Sequence, residues 1–340
     1  MSRKLLSLSL AAGLMGGTAF ADAPRVTVDI APVHSLVARV MEGVGTPDLI
    51  VQPGASPHEY SLRPSEASAL QEADLVFWVG PDLTPWLTDT IQTLAPDASV
   101  AELLEADGTN ELPFREGALF EAHDHGHHDD EDGHDDHADE DHDDHSDEHA
   151  EHDDHDDHDE EAEGHEGHHH GAHDPHAWLS PKNAMTWLNV IAGQLSAADP
   201  DNAGAYFANA AAGRAEIEAL IGEVNATLDP VRDGRFIVFH DAYQYFETDF
   251  DFPASGAISL SDASDPSPAR IAEIQGRVAE EGIDCVLAEP QFNPGLVATV
   301  LDGTDAKTGV LDPLGSDLEP GSALYPQLIR NLSTALADCL

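Results

Sequence analysis

Histidine is the residue whose types of neighbour and spacing could do chemistry in this chain, which holds 21 of them. Seventeen lie between His123 and His173, separated mostly by Asp or Glu, as in Asp141-His142-Asp143-Asp144-His145. Neutral imidazole and carboxylate are both ligands for zinc and other divalent transition metals, so a tract this dense reads as a metal-collecting loop. A merely solubilising acidic segment would need no histidine. The tract holds hardly an apolar side chain larger than Ala, and no Lys or Arg occurs between Arg115 and Lys182. It cannot bury surface to offset its ordering entropy, so a disordered, solvated loop is expected over 121–173.

Three histidines outside the tract are of another kind. His58 follows the short apolar run Leu49–Val51 and a loop bracketed by Pro53 and Pro57. His176 follows Asp174-Pro175, and His240 comes directly after Phe236-Ile237-Val238-Phe239. The carboxyl end of a parallel strand presents side chains to a crevice, where ligands bind. A single histidine there serves structure more often than chemistry. Three at comparable places, in a chain that also carries a histidine tract, point to a metal. Three nitrogens with one further position suit tetrahedral zinc, whereas Mn²⁺ prefers more oxygen. His34 falls inside the first predicted helix and is assigned to structure.

The elements that must position these residues alternate. Arg25–Ile30 reads as a strand, Val33–Met41 as a helix, Asp48–Val51 as a strand and Pro64–Gln71 as a helix. Leu75–Val79 is a continuously apolar strand of the kind buried on both faces. Thr84–Leu94 is helical and Val100–Leu104 a short strand or edge. After the tract, Asn183–Leu195 is an amphipathic helix and Asn202–Leu228 a long Ala-rich one. The alternation then resumes: strands at Phe236–Phe239, Ala257–Leu260, Cys285–Ala288 and Val310–Leu311, helices at Asp241–Phe246, Pro268–Glu281, Pro294–Leu301 and Tyr325–Ala337. Strand–helix alternation predicts an α/β protein of two lobes, each a mainly parallel sheet flanked by helices. The expected boundaries are a first lobe over 22–201 carrying the loop, a rigid linking helix over 202–229 and a second lobe over 230–340.

The formal net charge is −52, from 66 acids against 14 bases. That balance excludes nucleic acid and anionic membrane surfaces as partners and favours cations. Arg3-Lys4, the apolar run Leu5–Leu14 and Ala19-Phe20-Ala21 form an export signal, cleaved after Ala21, in a chain with no lipobox cysteine. The apolar run is too short to span a membrane, so a soluble periplasmic protein is expected. In an oxidising compartment the two cysteines, Cys285 and Cys339, favour a disulfide over a metal site. Such a bridge closes a loop worth about 3–4 kcal/mol in the chain-entropy account.

Several of these segments resemble a known family. Ser56-Pro57-His58-Glu59-Tyr60, Asp174-Pro175-His176-Ala177-Trp178-Leu179 and Phe239-His240-Asp241-Ala242-Tyr243 are similar to the metal-ligand segments of the cluster A-I solute-binding proteins. Ala288-Glu289-Pro290-Gln291-Phe292 and Leu311-Asp312-Pro313-Leu314-Gly315 fit the subgroup of periplasmic zinc-binding proteins that serve ZnuABC high-affinity uptake systems. The resemblance spans essentially the whole mature chain. It implies that His58, His176 and His240 bind transported Zn(II), with Glu59 or a water as fourth ligand and Asp312 as the alternative. It further implies a Cys285–Cys339 disulfide, an ABC transporter permease as partner, a periplasmic zinc chaperone as a further one, and a monomer. Asp241 and Glu289 are read as acceptors for the ligands' N–H groups, or else as solvated polar residues.

Other readings stay open at this point. A hydrolytic zinc enzyme also uses three histidines and an open position, but the chain has no His-Glu-x-x-His or Gly-x-Ser-x-Gly. A pure zinc buffer would make the tract everything. A manganese or iron receptor of the same family is disfavoured by imidazole, not carboxylate, at His240.

Overall fold

The computed structural model describes residues 23–115, 120, 173–259, 266–292 and 294–340. The expected export signal, and the tract except for His173, lie outside the described residues. Four short apolar runs pair side by side in the first lobe: β1 (Val26–Val28), β2 (Asp48–Leu49), β3 (Leu75–Trp78) and β4 (Ser99–Glu102). Their order is β2-β1-β3-β4, all parallel, with Val28 opposite both Leu49 and Phe77. β3 is buried at every residue, as its unbroken apolar run requires.

The second lobe repeats this order. β5 (Phe236–His240), β6 (Ala257–Ser259), β7 (Cys285–Ala288) and β8 (Lys307–Val310) form the parallel sheet β6-β5-β7-β8. Parallel strands need crossovers, and helices supply them. They are α1 (Ala31–Val40), α2 (Pro64–Glu72) and α3 (Pro85–Leu94) in the first lobe, and α6 (Gln244–Phe250), α7 (Pro268–Glu281) and α8 (Pro294–Leu301) in the second. Many open on a proline in the first turn, where a missing N–H is harmless.

Between the sheets lie α4 (Pro181–Ala198) and α5 (Ala203–Leu228), and the chain closes on α9 (Leu324–Cys339). The 26 residues of α5 span roughly 39 Å at ~1.5 Å per residue. Its buried face, Tyr206, Ala210, Gly213, Ile217, Leu220, Val224 and Leu228, repeats every three or four residues and packs on α1, α4 and α9. Gly213 lets α5 approach closely, since a Cβ there would stand 3.1 Å from Leu188 and 3.2 Å from Arg39. One apolar core runs continuously from Val26 and Phe77 through Trp187 and Tyr206 to Phe246 and Leu332. A second cluster, with Phe239, Ile274 and Val300, fills the outer layer of the second sheet. A Cys285–Cys339 disulfide joins β7 to α9 across a Cα–Cα distance of 5.9 Å.

The expected elements differ from the observed ones mainly at edges. The last strand is Lys307–Val310, not Val310–Leu311. As an edge strand it is largely exposed, so it carries no apolar run. Helix α6 starts at Gln244 rather than Asp241, because Asp241-Ala242-Tyr243 forms a turn whose Asp241 carboxylate is engaged by Arg115.

Candidate metal centre

Each of the three singled-out histidines sits where a strand or turn delivers it. His240 is the last residue of β5, with its backbone N–H and its ring both bound by Glu289 Oε1, at 3.1 and 2.7 Å. His176 repeats that pattern locally: Asp174 Oδ1 accepts from its backbone N–H at 3.0 Å and pairs with its ring Nδ1 at 2.7 Å. Both rings are buried, and so are their carboxylates. With each carboxylate ionised and accepting, Nδ1 of the ring is the donor and Nε2 presents its lone pair. The two Nε2 atoms face each other at 3.4 Å.

His58 stands beside them, half-buried, with its ring centroid 5.6 Å from that of His176. Its loop is held by Trp86, whose indole N–H donates to the Pro57 carbonyl at 2.8 Å, and by Ser56 Oγ, which accepts from the His58 N–H. The three rings line one pocket, walled by Pro57, Trp178, Phe292 and Leu314 and by the polar Glu289 and Gln291. Among the described residues no three His, Cys, Asp or Glu side chains already form a metal-holding group. The arrangement is a close pair with a third ring at its side.

The other candidates are placed elsewhere. Glu59 is exposed and does not line the pocket. Asp312 accepts from the N–H groups of Leu314, Gly315 and Ser316 and from the Ser316 hydroxyl, so it braces a turn. Asp241 binds Arg115. His34 is buried in α1 with Nε2 3.0 Å from the Pro47 carbonyl, and burial lowers its pKa.

Two residues not singled out by sequence reasoning shape the site. Asp174 is one; burial pushes its carboxyl up to about 7, against the His176 N–H and the charge of Arg115. Its spacing two residues before a histidine was the available signal. Arg115 is the other. It binds both oxygens of Asp241 and both of Glu247 and lies over the Phe120 ring. Burial works against its charge, but its bonds to Glu247 and Asp241 hold its pKa above the usual range. The segment bearing His176 is tied to second-lobe residues as well. Tyr245 OH donates to Asp174 O, Ser180 Oγ to Asp249, and Trp178 Nε1 to Pro313 O.

The pattern of the family described as zinc-uptake complex component A, periplasmic, matches residues 26–339. The chain belongs to that family. It is 50% identical over 335 residues to the high-affinity zinc uptake system protein ZnuA of Brucella abortus (strain 2308), covering 98% of this chain and 97% of that one. To the protein of the same description from Paracoccus denitrificans (strain Pd 1222) it is 47% identical, with 98% and 97% covered. The fold is that of a ZnuA crystal structure, at TM-score 0.69 and 21% identity, covering 94% of this chain and 99% of the other. It is equally that of a zinc-bound ZnuA lacking residues 138–173 of its own numbering, at TM-score 0.68 and 21% identity, with 94% and 98% covered. Members of the zinc-uptake family are transport components, not enzymes. Among the described residues of this member, no helix is long and apolar enough to cross a membrane.

Proposed function

We propose that the protein captures Zn(II) between His58, His176 and His240 in the periplasm and delivers it to the membrane permease of an ABC transporter. One observation carries this reading: two buried imidazoles, each with Nδ1 on its own carboxylate, aim Nε2 at one another across 3.4 Å. Lone pairs so placed repel unless a cation or a proton lies between them. Two nitrogens on one tetrahedral zinc at ~2.0–2.1 Å stand about 3.3–3.4 Å apart. The carboxylate behind each ring is the arrangement that orients a ligating histidine and raises its basicity. His58 supplies the third nitrogen. A water is the fourth ligand, because Asp312 is committed to its turn and Glu59 faces solvent.

Residues 1–21 direct export and are removed. Lobes over 22–201 and 230–340, braced by the helix within 202–229, hold the site, and the tract 121–173 collects zinc by its many weak ligands. The protein works as a monomer, and a periplasmic zinc chaperone is a further partner. The test is an equilibrium competition against a zinc chelator, in the full chain and in one lacking residues 123–173. One tight equivalent should survive the deletion while the weaker equivalents vanish. If the first equivalent goes with the tract, the three-histidine site is wrong.

A further inference from the structure

The turn after β7 carries a polar group that the three-histidine site leaves unexplained. Glu289 binds His240 through Oε1, and the Tyr243 hydroxyl faces the same carboxylate. Two residues on, the Gln291 carboxamide is buried at both Oε1 and Nε2 with no hydrogen-bond partner. Glu289 and Gln291 both line the pocket that holds the histidines. Their placement is not loose. Phe292 N–H closes the turn on Glu289 O at 3.2 Å, and the Phe292 ring stacks on Phe239 at 4.2 Å and edges His240 at 5.6 Å. Much of the rest of the wall is apolar, from Pro57, Trp178 and Leu314.

Burying a polar group without a partner is unfavourable, and such groups in a native protein call for an occupant. A carboxamide both donates and accepts. A neutral water can accept from Gln291 Nε2 with one lone pair and offer the other to a metal. An anion would be repelled by the buried Glu289 carboxylate on the same wall. We propose that Gln291 is a positioning residue, which holds the water that completes the metal's coordination. This rests on the three-histidine reading above. A held water gives the site a ligand that leaves without unfolding any protein segment, which suits a carrier that must also release its cargo.

The experiment loads the full chain with one equivalent of Co(II) and records electron–nuclear double resonance in oxygen-17 water. It compares the wild type with Gln291→Leu, Gln291→Asn and, as a control, His240→Ala. Gln291→Asn keeps the carboxamide and withdraws it by one methylene, which separates hydrogen bonding from packing if the leucine variant folds poorly. Expected is an oxygen-17 coupling in the wild type that is lost or shifted in both Gln291 variants, with Co(II) affinity about tenfold lower. A merely structural role would not move that coupling. No coupling in the wild type, or the same coupling in all three, overturns the proposal alone. A wild-type cobalt signal that His240→Ala leaves unchanged overturns the metal site itself, and this proposal with it.

Discussion

His176 and His240 differ from His58 in how the protein holds them. The first two are 6% and 4% exposed, each bound through Nδ1 and backbone N–H by one buried carboxylate. His58 is half-buried on a loop held mainly by the Trp86 bond to Pro57. Preorganised donors keep their geometry whether or not an ion is present, whereas a loop donor must be ordered as the ion arrives. The comparison also bears on how the lobes are joined. One apolar core and the bonds of Tyr245, Ser180 and Trp178 already hold the His176 segment to second-lobe residues.

The largest effect expected is from His240→Ala, measured by zinc competition in a chain lacking residues 123–173 so that the tract cannot substitute. Affinity should fall by more than the about 10–100-fold that loss of an outer-shell partner produces. His58→Ala should lose less, because water can take the place of a half-exposed ligand. Equal losses in the two variants would erase the distinction between the pair and the third ring.

Next in size are Asp174→Asn and Glu289→Gln, which keep shape and remove charge behind each ring of the pair. Zinc affinity should drop about 10–100-fold in each. Wild-type affinity in both variants would show that the buried carboxylates do not tune the site.

Acid should release the metal, since imidazole must be deprotonated to coordinate. Asp174 sharpens the pH window. Burial raises its carboxyl from 3.8 to about 7, so the metal-free fold keeps a proton that the unfolded chain sheds. Its contribution to the metal-free fold is present below 3.8 and is lost as pH rises through about 7. A cation on His176 Nε2 acts in the opposite sense, favouring the carboxylate against Nδ1–H. Uptake should therefore expel protons, and affinity should climb with pH up to about 7. Titration calorimetry in two buffers of different ionisation enthalpy counts them. Finding none released at about pH 6.5 would contradict this account.

The smallest effect is expected from Trp86→Phe, which keeps the ring and removes the N–H that holds Pro57. One neutral hydrogen bond is worth about 1 kcal/mol, so zinc affinity should weaken only about fivefold. The loss should appear in the association rate by stopped flow, while the pair's geometry stays intact. A change as large as that of Asp174→Asn would place His58 among the preorganised ligands.

Much of the fold was legible in residue order, because period and punctuation act locally. The apolar runs at Leu75–Trp78 and Phe236–Phe239 and the prolines opening α2, α3 and α7 specify strands and helix starts within a few residues of themselves. Lys307–Val310 was misplaced because an edge strand shows no apolar pattern. His58, His176 and His240 could be picked out by their positions at strand and loop ends, far apart in the chain.

What sequence determined, then, is the two-lobed parallel α/β plan and the family, since each is written in short stretches whose meaning is local. Tertiary structure alone decided which partners His240 and Asp241 meet. Glu289 lies 49 residues from His240, and Arg115 lies 126 from Asp241. No local rule connects residues so distant. They are brought together because β5 and β7 are neighbours in one sheet and because the strand ends converge on a single pocket. The Nε2 separation of 3.4 Å and the unpaired Gln291 carboxamide are consequences of that convergence.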